Sequence, residues 1–226
     1  MFAKLSLLVT GFMSITTLAF GSGYGVFTQG AAGLGQANAV VAHPTGPSSL
    51  YFNPALLNDV PGRQLEIGTT GLYADRKVKL DDGSSESSKD NWNFPGTFYY
   101  THQVNDNLTA GLGVFFPFGL STDWGDDFAG KYIGTSSEML TMNINPAFSY
   151  RVNDRLSLAA GLSILYLDAS LESKTNQTAV GIIAAPPFGL GVLPDINQKF
   201  EGDGWGTGYN LGLLFKASDR ISIGAA

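Results

Sequence analysis

The sequence predicts an all-β protein, a transmembrane antiparallel β-barrel with an N-terminal segment in its lumen. Three observations predict it. Apolar residues recur at every second position over runs of about 10–12 residues, the length a tilted strand needs to cross a bilayer. The apolar face of each run carries no Asp, Glu, Lys or Arg. A basic residue at mid-bilayer on that face would cost roughly 2–4 kcal/mol. Short Asn/Asp turns alternate with long polar connections, as in a barrel whose two ends face different compartments.

Composition agrees. Of 226 residues, 44% are hydrophobic and 14% charged, well under the roughly 25% charged share of soluble domains. The 29 glycines, 15 phenylalanines and 9 tyrosines suit strands and tight turns. A net charge of −6 argues against a nucleic-acid partner. With no cysteine there is no disulfide, thiolate metal site or Cys nucleophile.

Residues 1–21 read as a signal peptide. Lys4 supplies the positive charge, residues 5–20 form an apolar run, and Ala19-Phe20-Gly21 gives a small-x-small cleavage pattern. The run is short for a membrane anchor, and no basic stop-transfer cluster follows. Cleavage is expected after Gly21.

Residues 22–62 do not alternate. Small residues crowd Gly30 to Ala39, and Asn53-Pro54-Ala55 follows Leu50-Tyr51-Phe52. Such a stretch can fold tightly in a confined space. A barrel too wide to be filled by its own side chains needs a plug, and this segment is the expected one.

Residues 63–226 are the expected barrel portion, with strands at 64–77, 94–103, 108–118, 138–151, 155–171, 202–216 and from 221 on. In the third, Leu108, Ala110, Leu112 and Val114 face lipid, while Thr109, Gly111, Gly113, Phe115 and Pro117 face the lumen. In the fourth, Leu140, Ile144 and Phe148 oppose Thr141, Asn145 and Ser149. In the fifth, Leu158 and Leu162 oppose Ser157, Ala159 and Gly161. In the sixth, Trp205, Tyr209 and Leu211 oppose Gly206, Asn210 and Gly212. Phe116, Phe118, Tyr150, Tyr166 and Phe215 lie near strand ends, where an interfacial girdle belongs.

The turns Asn105-Asp106, Asn153-Asp154 and Ser218-Asp219 repeat one pattern, and Asn and Asp tolerate the left-handed backbone of tight hairpins. Long connections are expected at 79–93, 121–137 and 174–199. A secreted β-sandwich also alternates, but its strands are about half as long. Six strands and part of a seventh leave the sheet open at Ala226, so the barrel is expected to continue in further chain.

Pro117 beside Phe118-Gly119 predicts a kink or bulge in the third strand, because proline removes a ladder donor and glycine weakens pairing. Phe115 is apolar on a face that an open porin would make polar.

Several motifs together resemble one family. They are the Gly/Ala-rich stretch Gly30 to Ala39, Asn53-Pro54-Ala55, Phe118-Gly119-Leu120-Ser121-Thr122-Asp123, the run from Asn143 to Asp154, and Gly206-Thr207-Gly208-Tyr209-Asn210-Leu211-Gly212. The chain from about residue 23 onward is similar to the outer-membrane long-chain fatty acid transporters (FadL/TodX-like), a family that includes channels for toluene-type hydrocarbons. The resemblance implies a fourteen-stranded barrel in the outer membrane, no cofactor and no enzymatic activity. It also implies a path. A long-chain fatty acid or other hydrophobic molecule lands on a greasy groove among the outer loops. It moves to an apolar lumen pocket above the plug and leaves sideways where the third strand kinks. The resemblance puts the Asn-Pro-Ala segment near that kink. Phe52, Leu56 and Phe115 are candidates for the ligand path, although Phe52 and Leu56 could equally anchor the plug to the wall. The surrounding partners are outer-membrane lipid and lipopolysaccharide, and the full-length protein is expected to be monomeric. A carboxylate ligand would need a basic partner; Lys131, Lys174, Lys199 or residues beyond this chain could supply it, or the ligand is an uncharged hydrocarbon.

A general polar porin and a barrel lipid hydrolase are the alternatives. A plugged lumen argues against the first. For the second, His102 with Ser149 or Ser157 is the available pair, and nothing else in the sequence orients it. Gly33-Leu34-Gly35 lacks the strand and third glycine of a dinucleotide loop. His43 and His102 stand too far apart for a metal pair. Asp123-Trp124-Gly125-Asp126-Asp127 fits no calcium loop and reads as solvated.

Overall fold

The computed structural model describes residues 25–89, 91–177 and 194–226. The expected signal peptide and residues 178–193 of the third long connection lie outside the described residues.

The chain is organised by one antiparallel eight-stranded sheet. Its members are β1 (Arg63–Thr69), β6 (Gly96–Gln103), β7 (Leu108–Phe115), β9 (Ser136–Asn153), β10 (Leu156–Thr175), β11 (Ile196–Ser218) and β12 (Ile221–Ala225), each paired with the next. The eighth, β8 (Gly119–Asp123), pairs only with β9 among the described residues. Two small ribbons lie between β1 and β6: β2 (Leu72–Ala74) with β5 (Asn91–Asn93), and β3 (Lys77–Lys79) with β4 (Ser85–Ser87).

Residues 25–62 lie against one face of this sheet. They form two single-turn helices, α1 (Ala31–Leu34) and α2 (Ser49–Phe52), then a 3-10 turn at Pro54–Asp59. Asn53 caps that turn by accepting the Ala55 N–H at 3.0 Å, and Pro54 supplies the preset φ of its first position.

The two sheet faces differ as the alternation predicts. Under the segment, Thr109, Thr141, Asn145, Ala147, Ser149, Ser157 and Leu214 are buried. On the bare face Leu112, Phe148, Leu158, Leu162 and Leu211 are exposed; Phe148 is 60% and Tyr209 82% accessible. A soluble sheet would bury those residues and expose the threonines and asparagines. Burying polar groups under the segment and presenting Leu, Phe and Tyr outward suits a wall whose solvent is lipid.

Each short turn is closed by a side chain. Asn105 Oδ1 accepts from Asn107 N and Leu108 N, both at 2.9 Å. Asn153 Oδ1 accepts from Arg155 N at 2.9 Å and Leu156 N at 3.0 Å. Ser218 Oγ takes the weaker bond from Arg220 N at 3.3 Å. The expected left-handed backbone is not how these turns close. The described non-glycine residues with positive φ are Ala37 and Asn38, both in the N-terminal segment.

Strand boundaries depart from the expectation in three places. The first strand stops at Thr69, because Pro95 opposite has no N–H and takes Thr70 N–H and Thr69 Oγ1 on its carbonyl instead. Part of connection 121–137 is strand, since β8 runs to Asp123. β10 and β11 stay paired as far as Thr175 opposite Ile196, well into connection 174–199.

Candidate functional site

The segment is seated by close approach at glycines. A Cβ on Gly111 would stand 2.7 Å from Cδ1 of both Leu50 and Leu57. One on Gly212 would stand 2.5 Å from Asn53 Oδ1 and 2.9 Å from Ala55 N. Real Cβ contacts do not come so close, so the wall is bare of side chains where the segment presses on it. Two apolar clusters fill the seams: Leu50, Leu57, Tyr99, Phe115 and Ala147, and then Ala55, Leu56, Ala159 and Leu214.

Asn53 Nδ2 donates to Val41 O at 2.8 Å and to Leu213 O of β11 at 2.9 Å. Ser149 Oγ donates to Ala55 O at 3.2 Å. Below them Asp59 Oδ1 receives Lys216 Nζ at 2.8 Å and Arg151 Nη2 at 3.3 Å. The Asn-Pro-Ala stretch is thus tied to β9 and β11. The resemblance led us to expect it near the kinked strand; the residues that bond to the kink lie earlier in the chain. Gly25 bridges to Phe118, Val26 N–H donates to Pro117 O at 2.8 Å, and Gln29 Nε2 donates to Phe116 O at 2.8 Å. Gln29 is held in turn by the Tyr99 hydroxyl, which donates to its carbonyl at 2.7 Å.

The kink is a bulge. Phe115 pairs with Asn143 and Gly119 with Leu140, so Phe116, Pro117 and Phe118 stand opposite only Thr141 and Met142. Thr141 repairs the ladder: its Oγ1 accepts Phe118 N–H at 2.9 Å, and its own N–H reaches Phe118 O at 3.0 Å. Past the bulge β8 has left β6, and its outer edge is met by other groups. Arg76 Nη1 donates to Ser121 O at 3.0 Å and Lys89 N–H to Asp123 O at 2.7 Å. A gap of about 140 Å³ opens there, lined by Val26, Pro95, Gly96, Phe116, Leu120 and Leu140 among others.

Two larger spaces lie above the segment. A cavity of about 290 Å³ on the covered side of the sheet is bordered by Tyr51, Phe115, Pro117, Phe118 and Leu165, with asparagines along one side. Tyr51 meets Phe115 edge-on at 5.0 Å. An outer groove of about 720 Å³ is lined by Val78, Leu80, Trp124, Phe128, Ile133 and Phe200, among other residues. Of the ligand-path candidates, Phe115 borders the cavity. Phe52 packs on Gly33 inside the segment, and Leu56 is fully buried beside Ala159 and Leu214. Pro117 and Phe118 border the cavity, and Gly119 starts the resumed strand.

The lysines considered for a carboxylate ligand already have acidic partners. Lys131 meets Asp195 at 2.8 Å, Lys174 meets Asp126 at 3.6 Å, and Lys199 meets Glu201 at 2.6 Å and Glu172 at 3.4 Å. Lys131 and the Tyr132 hydroxyl hold the Asp195 carboxyl below its ordinary range, and Asp195 raises Lys131. Among the described residues no three His, Asp or Glu side chains gather as a metal site would need.

Sequence reasoning missed Gln29, Tyr99 and the Asp59 ion pairs. Arg151 continues the alternating face of Asn145 and Ser149, and Lys216 that of Asn210 and Gly212, so an acidic residue on the facing segment was the available signal.

A sheet with an apolar bare face, a polar covered face and an inner segment tied to its wall defines a plugged outer-membrane barrel. Residues 12–226 match the family described as outer membrane protein transport protein (OMPP1/FadL/TodX), and the chain belongs to that family. It is an outer-membrane protein. The long-chain fatty acid transport protein of Salmonella typhi is 27% identical over 217 residues, covering 89% of this chain and 49% of that protein. The structure of a Pseudomonas aeruginosa FadL homologue superposes with a TM-score of 0.69 at 20% identity, over 90% of this chain and 52% of that one. The Ralstonia pickettii toluene transporter TbuX gives a TM-score of 0.69 at 21% identity, over 88% and 57%. The chain spans about half the length of the relatives it matches.

Proposed function

We propose that this chain is part of an outer-membrane channel for hydrophobic compounds, either long-chain fatty acids or hydrocarbons. The observation that carries this reading is the bulge at residues 116–118, with its gap between β8 and the corner at Pro95-Gly96, lined mostly by apolar residues with Asn93, Ser121 and Glu138 among them. A ligand settles in the outer groove, passes to the lumenal cavity beside Phe115, and leaves sideways into the bilayer where Pro117, Phe118 and Gly119 part the wall. Residues 22–62 are the plug, downstream of the signal peptide at 1–21 and upstream of the barrel strands. Asn53, Pro54 and Ala55 seat the plug, and Phe52 and Leu56 anchor it, so that the periplasmic side stays closed. The bare apolar face meets outer-membrane lipid and lipopolysaccharide, and the whole protein works as a monomer. Relatives named for transport of a long-chain fatty acid and of toluene support the substrate class.

The test is uptake. Cells lacking the whole gene should take up labelled oleate or toluene several-fold more slowly than the parent. Equal uptake of both would contradict the proposal.

A further inference from the structure

We infer that the lumenal cavity holds a subsite for a neutral oxygen group, favouring a hydrophobic molecule with one hydroxyl or carbonyl over a carboxylate or a bare hydrocarbon. The inference rests on the transport reading above. One side of the cavity is aromatic and aliphatic, the other is Asn143, Asn145, Ser163 and Asn210.

Asn145 is committed to the wall. Pro146 follows it in the middle of β9 and has no N–H to give. The ladder between β9 and β10 runs from Gly161 opposite Ala147 straight to Ile164 opposite Ile144. Asn145 Nδ2 takes the missing donor's place and gives a 2.7 Å bond to Leu162 O. That bond orients its amide toward Asn210, and the two side chains exchange bonds of 3.3 Å in each direction. Such bonds are long for N–H to O and readily exchanged. Ser163 Oγ donates to Asn143 Oδ1 at 3.0 Å, leaving the Nδ2 end of Asn143 as its free donor. Among the described residues that nitrogen has no partner.

Among the described residues the lining carries no charged side chain. Against these residues a carboxylate would meet no cation, and burial of an unpaired charge is strongly unfavourable. A bare hydrocarbon would cover the amides and give them nothing to bond, and sites built for a hydrogen bond discriminate against analogues lacking it. A neutral oxygen accepts from Asn143 Nδ2 while the apolar body lies against the Tyr51–Phe115 pair.

Three probes of one ring system separate these cases: 1-naphthol, naphthalene and 1-naphthoate. They are titrated by fluorescence against the whole protein in lipid nanodiscs, with empty nanodiscs subtracted. Naphthol should bind about three- to tenfold more tightly than either of the others, the worth of one net hydrogen bond. Asn143→Leu should erase that preference while naphthalene still binds, which reports an intact cavity. Asn143→Ala removes the amide without adding bulk; it should erase the preference even where leucine disturbs folding. The inference is overturned if naphthoate or naphthalene binds as well as naphthol, or if both variants keep the preference. Binding of none of the three would remove the transport reading as well.

Discussion

Asn53 holds three bonds with one amide: two carbonyls taken by Nδ2 and the Ala55 N–H taken by Oδ1. One of those carbonyls, Leu213 O, is 160 residues away. Asn53→Ala would orphan buried backbone groups, at about 1–3 kcal/mol. The denaturant midpoint of the refolded whole protein should fall, and ion conductance in planar bilayers should rise as the plug loosens. Gly212→Ala attacks the same contact from the wall, where its Cβ would meet Asn53 Oδ1 at 2.5 Å. It should cost about 1–3 kcal/mol by overpacking, read from the same midpoint. The Asn-Pro-Ala motif was legible in the sequence, but its partners were not. A side chain that bonds to a distant backbone carbonyl leaves no residue-type signal at the other end. Pro146 sits in the same blind spot. A proline in a central strand argues against that strand, until the side chain of Asn145 is seen to supply the donor.

Among the elements, alternation placed every long strand and assigned its faces, since one face touches lipid and tolerates no charge. It could not place the ends of β9, β10 and β11. Outside the bilayer no solvent change marks where pairing stops, and the β10–β11 ladder continues through Lys174 and Lys199. The break in the third strand, kink or bulge, was legible from Pro117 and Gly119; which of the two it is was not, because register depends on the partner strand. The Asx turns offer a compact check. Asn153→Ala removes two bonds from the β9–β10 turn and should lower stability by about 1 kcal/mol, measured as a shift in urea midpoint. An unchanged midpoint would mean that the strands alone set this hairpin.

For the whole molecule, the inverted faces decide the class, and they were present in the sequence before any coordinates. The ties between the long loops were not, because loop residues follow no period. The Lys131–Asp195–Tyr132 contact joins the loop after β8 to the approach to β11. Asp195 has a depressed native pKa, so its contribution is present above the ordinary aspartate value of about 3.9 and is lost as pH falls through the depressed one. Lys131 has a raised pKa, so its contribution is present below the ordinary lysine value of about 10.4 and is lost as pH rises through the raised one. Protection from hydrogen exchange in residues 124–135, taken relative to the intrinsic rate at each pH, should therefore be high at neutral pH and fall below the aspartate range. Asp195→Asn should already exchange quickly at neutral pH.

The transport we propose turns on ligands leaving through the wall at the bulge. Deleting Pro117 removes the extra residue and lets β7 run into β8 in register, closing the gap while the plug stays tied to β9 and β11. The measurement is uptake of labelled oleate and toluene by cells with matched outer-membrane amounts of wild-type and deletion protein. The deletion should lower uptake to the level of cells lacking the gene. Uptake at the wild-type rate through the repaired wall would contradict the proposal.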